Sequence, residues 1–374
     1  MAGLRALGRW IAIVGSLLAL VCSCGREAER ARDEALAQAA RAKAMLEATR
    51  LEGERLDALR ARDRLSTAEV ESAPTAPTDR PYVLVLGTAQ DGGLPQLGCR
   101  RACCVAARED PSRRRSVTSL LLVDPRARRR WLIDASPDID RQLEVAVDHP
   151  RGWSPPAAQG GRPPLFDGIL LTHAHTGHYA GLLPLGREAY GAAGQRLYAT
   201  ESMQAFLTDN GPWSLSVAGG GFDFARIDPE HPLRAGEDLV VEALRVPHRD
   251  EFSDTLAFVI RGPERSLLYL PDIDKWERWE TPVEEVLAGV DVALVDGTFF
   301  GPDELPGRAM AEIPHPFIFE SLERFAPLSE TDRAKLRFTH LNHSNPAADP
   351  ASDAARQVRD AGCSIAQDGE LHAL

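Results

Sequence analysis

The chain has 374 residues, 44% apolar and 26% charged, which suits one large domain with an appendage or two modest domains. Its formal net charge of −12 argues against a nucleic-acid partner, because phosphate neutralisation requires a basic surface. Arg113 to Arg115 and Arg128 to Arg130 form local basic clusters, read either as solvated loop charge or as a means of steering an anionic substrate.

In chain order, Arg5 and Arg9 precede an apolar run over residues 10–21 that is short for a membrane span. A charged start, a short apolar core and then small residues are the layout of an export signal. The run ends in Val21-Cys22-Ser23-Cys24-Gly25, which resembles the lipobox of bacterial lipoproteins. There, cleavage precedes a cysteine that follows a small residue. Cys24, after Ser23, fits; Cys22, after Val21, fits poorly. Residues 1–24 are therefore expected to be a lipoprotein signal peptide, placing the body on the periplasmic or extracellular face with a lipid on Cys24. An uncleaved N-terminal anchor is the alternative. Residues 25–65 are nearly all Ala, Arg, Glu, Leu, Asp and Lys, strong helix formers without a heptad seam. They predict a charged helical stalk, roughly 60 Å long at about 1.5 Å per residue. Residues 66–81, with Pro74, Pro77 and Pro81, read as a linker to a body over 82–374.

Within the body, apolar runs predict strands over 82–86, 119–124, 130–134, 167–172, 238–246, 255–260, 266–270, 290–295 and 335–338. Helical patterns cover 182–193, 201–209, 317–325 and 350–361. Interleaved strands and helices, with polar residues clustered past strand ends, predict a layered α/β domain with its site on one edge. The densest cluster is Thr172-His173-Ala174-His175-Thr176-Gly177-His178. Neutral imidazoles suit Zn²⁺, Fe²⁺ or Mn²⁺, and histidines gathered on one strand-to-helix turn can converge on a single ion. A polar turn with surface histidines is the bland alternative.

This cluster resembles the His-x-His-x-Asp-His signature of the metallo-β-lactamase superfamily. Val246-Pro247-His248, Leu270-Pro271-Asp272 and Thr339-His340 follow in that family's order. The resemblance implies a four-layer αββα sandwich. It also implies that His173, His175 and His248 bind one metal, that His178 and His340 face a second, and that Asp272 bridges. Gly177 stands where the signature has aspartate, which predicts a weak or absent second ion and a single catalytic metal. Asp272 is then either the remaining general base or a ligand alone. Asp134, after a strand, resembles the buried aspartate that braces the histidine loop; a plain turn is the alternative.

The run from Gly87 through Asp91-Gly92-Gly93 to Cys99, the histidine segment including its Gly177, Asn210-Gly211-Pro212-Trp213-Ser214 and His340-Leu341-Asn342 resemble the pyrroloquinoline-quinone biosynthesis protein B (PqqB) family. Relatedness does not fix a reaction. That family and related phosphodiesterases carry Cys-x-Cys-x-x-Cys for a structural zinc. Here the resemblance implies a Zn²⁺ held by Cys99, Cys103, Cys104 and His343, although Arg101 replaces the middle cysteine. A disulfide or free thiols remain the alternative. Cys363 is expected to be a buried small hydrophobe. Arg249, Asp250 and Asp254 either contact substrate or line a solvated loop, and His149, His231, His315 and His372 are expected at the surface.

The reading is a metal-dependent hydrolase acting through metal-activated water on an ester, lactone, amide or phosphodiester of a small molecule. The alternatives are a non-haem iron oxygenase, a protein of PQQ biosynthesis or transport, and a lipid-anchored ligand-binding protein with a weakened metal site.

Overall fold

The computed structural model describes residues 32–33, 36–43, 45, 47, 76–157, 161–305, 307 and 313–374. The chain divides into two units, Met1–Thr75 and Ala76–Leu374. In the first, the described residues between 32 and 47 are helical and nearly all exposed. The signal and lipobox with Cys24, and most of the expected stalk and linker, lie outside the described residues. No helix among the described residues is long and apolar enough to cross a membrane.

In the second unit, the apolar runs become the strands of two sheets. The first contains β1 (Tyr82–Gly87), β2 (Ser119–Asp124), β3 (Arg129–Ile133), β4 (Gly168–Leu170), β5 (Gln195–Ala199) and β6 (Phe222–Arg226). The second contains β7 (Leu233–Arg234), β8 (Val240–Val246), β9 (Thr255–Arg261), β10 (Ser266–Leu270), β11 (Val292–Asp296), β12 (Leu336–Thr339) and β13 (Ser364–Ile365). Strand β14 (Leu371–Ala373) returns to the first sheet beside β1. β1 and β2 are buried along their whole length, as unbroken apolar runs require of strands covered on both faces. β8 alternates buried and less buried residues, the period-two signature of a half-covered strand.

Both sheets pass from antiparallel to parallel pairing. In the first, β14-β1-β2-β3 pair antiparallel and β3-β4-β5-β6 parallel. In the second, β7-β8-β9-β10 pair antiparallel and β10-β11-β12-β13 parallel. This repetition of plan is invisible in the sequence.

The helices are α1 (Ala102–Glu109), α2 (Ile139–Ala146), α3 (Thr176–Tyr179), α4 (Glu201–Asp209), α5 (Trp213–Ala218), α6 (Val283–Ala288), α7 (Ile318–Phe325), α8 (Glu330–Ala334) and α9 (Asp353–Asp360). Val83, Leu120, Trp131, Phe258, Tyr269 and Leu294 belong to a core shared by the two sheets. Ile139, Leu182, Met203 and Leu207 pack on the outer face of the first sheet, and Val283, Ile318, Phe325 and Val358 on that of the second. The resulting layers are helix, sheet, sheet, helix, as expected.

Several local expectations fail for identifiable reasons. The helix predicted over 182–193 is instead the end of a 3₁₀ segment (Ala180–Leu185) followed by turns. Pro184 has no N–H to give and Gly186 follows it, so the apolar spacing does not propagate as α-helix. Arg115 and Arg130 are not loop charge but buried. Arg115 donates to Thr88 Oγ1 and Ala366 O, and Arg130 donates to Ala146 O and Leu165 O while stacking on Trp153. His372 and His315 are buried rather than at the surface, His149 is half-buried against Tyr82, and His231 is exposed as expected. Burial pushes the His372 imidazole down to about 4, keeping it neutral in β14. Cys363 is buried in the outer core, as expected.

Candidate metal centre

The polar residues singled out by spacing meet just past the ends of neighbouring strands. The chain leaves β4 through Thr172, His173 and His175 into α3, which carries Gly177 and His178. His248 follows β8, Asp272 follows β10 and His340 follows β12. Asp134, after β3, and His340 both take positive φ, 63° and 59°. Non-glycine residues rarely adopt this region, which turns each chain sharply off its strand. His173, His178, His248, Asp272 and His340 are all buried.

The hydrogen-bond network fixes which imidazole nitrogen each histidine offers. His178 Nδ1 donates to Asp134 Oδ2 at 2.7 Å. Asp134 also accepts from Thr172 N, Thr172 Oγ1 and Tyr269 Oη, so it braces the loop as expected. With its own proton committed to Asp134, Thr172 Oγ1 accepts from His173 Nδ1 at 3.0 Å. By the same logic His340 Nδ1 donates to Thr298 Oγ1 at 2.9 Å, and that hydroxyl donates to Asp296 Oδ1. His175 Nε2 donates to Glu251 Oε2 at 3.0 Å. His248 Nδ1 lies 3.3 Å from Asp274 Oδ1. The rings of His173, His175, His178 and His340 are thus held by one nitrogen, leaving the lone pair of the other for a ligand, whereas neither nitrogen of His248 makes a directed hydrogen bond among the described residues.

Those other nitrogens converge. His173 Nε2 is 2.8 Å from His175 Nδ1. Asp272 Oδ2 lies 2.8 Å from His178 Nε2, 3.2 Å from His340 Nε2 and 3.6 Å from His173 Nε2, and Oδ1 lies 3.7 Å from His248 Nε2. His178 Nε2, His248 Nε2 and His340 Nε2 are buried without a properly directed hydrogen-bond partner among the described residues. Buried polar atoms seldom go unpaired, and a cation satisfies all of them together. Ligand atoms of His173, His175 and His248 lie within 4.8 Å of one another, as do those of His173, His178 and Asp272. The donor set of imidazoles and one carboxylate suits zinc.

Electrostatics agree. Burial pushes His173, His175 and His340 below the usual histidine range, keeping them neutral donors. Burial also works against charge on His178, but Asp134 and Asp272 outweigh it and raise that ring. The potential that raises His178 is the one that draws a cation. Burial alone would raise Asp272, yet His340, His178 and His248 hold it well below the carboxylate range.

Some participants were not anticipated. His315, expected at the surface, shares a candidate ligand group with His248 and Asp272 and donates from Nδ1 to Asp296 Oδ2 at 2.7 Å. Asp91 forms a group with His178 and His340. Glu251 orients His175. The available signal was positional for Asp296, which ends β11, whereas Asp91 lies in the loop after β1. Of the three loop residues, Arg249 is exposed, Asp250 accepts from Thr255 Oγ1, and Asp254 is occupied by Thr200, Ser202 and Arg245.

The cysteines form a second cluster. Cys103 and Cys104 lie on α1, and Cys99 lies in the turn before it. Their sulfurs are 3.8, 3.3 and 3.7 Å from His343 Nδ1. A tetrahedral zinc with usual bond lengths places sulfur and nitrogen ligands about 3.6 Å apart. No described cysteine is in a disulfide. Burial pushes the Cys104 thiol up to about 12, so a cation rather than solvent is what would make it a thiolate. Arg108 fastens the turn by donating to Cys99 O and Gln96 O.

Comparison with known proteins agrees with this geometry. Residues 129–362 match the model of the beta-lactamase superfamily domain. Coenzyme PQQ synthesis protein B of Methylobacterium nodulans is 29% identical over 309 residues, covering 76% of this chain and 97% of that protein. The namesake from Methylococcus capsulatus is 27% identical over 316 residues, covering 77% and 98%. Zn²⁺-bound PqqB from Methylobacterium extorquens superposes with a TM-score of 0.65 at 26% identity, over 78% of this chain and all of that one. A diphosphatase of the PhnP family shares the fold at 22% identity and TM-score 0.54, over 79% and 97%.

Proposed function

The chain belongs to the beta-lactamase superfamily and is a metal-dependent hydrolase of that group related to PqqB, and we propose that it hydrolyses an ester, lactone, amide or phosphodiester bond in a small molecule. One observation carries the reading. Five imidazoles turn a nitrogen toward one point: those of His173, His178, His248 and His340 face the Asp272 carboxylate, and His175 Nδ1 lies 2.8 Å from His173 Nε2. When bound, a divalent metal ion brings the pKa of its water to about 7 and polarises a substrate oxygen. His173, His175 and His248 would hold that ion, with Asp272 the anionic ligand between them and the His178–His340 pair. Asp134, Glu251 and Thr298 keep the rings of His178, His175 and His340 in the tautomers that ligation needs. At the exposed edge, Arg249, 3.6 Å from Glu251 Oε1, carries a positive charge, and Phe252, 60% exposed and tilted against Phe206, offers an apolar face. The pair suits a small anionic substrate with an apolar part.

Turnover by the zinc-loaded protein across those bond classes tests the reading. Hydrolysis of at least one class is expected, abolished by chelation and by His173→Ala. Full metal occupancy with no turnover in any class would overturn it. Oxygen uptake specific to Fe²⁺ would point instead to an oxygenase.

The sulfur–nitrogen spacings support a structural zinc at Cys99, Cys103, Cys104 and His343, tying α1 to the segment that carries His340. Cys104→Ser is expected to release one zinc per chain while metal at the histidine centre stays bound; unchanged zinc content would contradict it. The signal-like layout of residues 1–24 supports a lipid anchor on Cys24, which mass spectrometry of the membrane-associated protein tests; an unacylated Cys24 there would contradict it.

A further inference from the structure

Gly177 removes a side chain from the histidine loop, but the space that side chain would fill is taken. An ideal Cβ at 177 would lie 2.2 Å from Asp91 Oδ1 and 3.0 Å from the Asp91 Cα. The same oxygen accepts from Gly177 N at 3.0 Å. The geometry points to an exchange of ligands: Asp91, delivered by the loop after β1, supplies the carboxylate that residue 177 cannot, and completes a second metal position with His178, His340 and Asp272. Ligand atoms of Asp91, His178 and His340 lie within 4.8 Å of one another.

The Asp91 loop is anchored to both neighbours of this position. Gln90 N donates to Leu341 O at 2.9 Å and Leu341 N to Thr88 O at 2.8 Å, so the loop is clipped beside His340. The bond to Gly177 N secures it against α3. Gly93, at φ 66°, then reverses the chain, its N–H closing on Gln90 O at 2.8 Å. Charge requires the exchange as well. Without Asp91, a second divalent ion would share the Asp272 charge with the first and otherwise meet neutral imidazoles. With Asp91 it gains a carboxylate of its own. The glycine is the steric counterpart of this arrangement, because a side chain at 177 and the Asp91 carboxylate cannot occupy the same space.

This inference rests on the histidine centre being a metal site, and its test separates the two claims. Mn²⁺, a hard ion disfavoured by thiolates, avoids the cysteine cluster. Equilibrium dialysis counts bound ions, and electron paramagnetic resonance reports whether they are coupled. The full-length protein is expected to bind a coupled pair. Asp91→Asn keeps an acceptor for Gly177 N but removes the charged ligand. It should retain the first ion and bind the second at least about 100-fold more weakly, since even loss of an outer partner costs roughly 10- to 100-fold. The exchange variant Asp91→Gly/Gly177→Asp returns a carboxylate from the other side and should recover the coupled signal. A single ion in the wild type, or an Asp91→Asn protein that holds the pair as tightly as the wild type, would overturn the exchange while leaving the mononuclear reading intact. No Mn²⁺ at the histidines in any of the three would overturn both.

Discussion

Asp272→Asn is expected to lower kcat/KM by on the order of 10³-fold or more, a larger loss than the roughly 10- to 100-fold typical of an outer hydrogen-bonding partner. The carboxylate is buried and lies within 3.7 Å of His173, His178, His248 and His340. Asparagine keeps the shape but gives up the charge that offsets a divalent ion. It also brings an N–H₂ toward nitrogens whose lone pairs should face metal. Metal affinity and turnover should therefore fall together, and excess zinc should restore only part of the activity. A variant with wild-type metal content and a modest loss of kcat would show that Asp272 acts mainly as a proton acceptor.

Asp134→Ala is expected to cost the fold about 3–5 kcal/mol, the range for breaking a buried charged network by removing one member. Asp134 is fully buried and accepts from Thr172 N, Thr172 Oγ1, His178 Nδ1 and Tyr269 Oη. Its loss strands donors from the loop after β4, from α3 and from β10 at once, and each unsatisfied buried donor costs about 1–3 kcal/mol. His178 would also lose the partner that fixes its tautomer, so metal affinity should drop with stability. Denaturant midpoints of the wild type, Asp134→Ala and the nearly isosteric Asp134→Asn measure this, with Asn expected to fall between the two. Equal midpoints for wild type and Asp134→Ala would mean that Asp134 merely ends a strand.

Nine of the strands were readable because each is a short apolar run closed by Gly, Pro or a polar residue, and most of their ends moved by only a residue or two, whereas β5, β6, β7, β13 and β14 were not read, being short or interrupted by polar residues. The ligands were readable because His173, His175 and His178 are sequence neighbours and His248, Asp272 and His340 each follow such a run. What could not be read depends on chain segments that meet only after folding. Asp91 reaches Gly177 from 86 residues away, so the glycine alone suggested a missing carboxylate whose place was in fact filled. His315, between Pro314 and Pro316, looks like a loop residue until Asp296 and Asp272 are brought beside it. Arg130 looked like surface charge because its carbonyl partners and Trp153 come from other segments.

Anomalous scattering at the zinc edge, from crystals of zinc-loaded protein, tests the central claim most directly. A peak bonded to His173 Nε2, His175 Nδ1 and His248 Nε2 beside Asp272 is the expected result. Full zinc occupancy at the cysteines, with ordered water and no anomalous signal among those histidines, would contradict the account of this chain as a metal-dependent hydrolase.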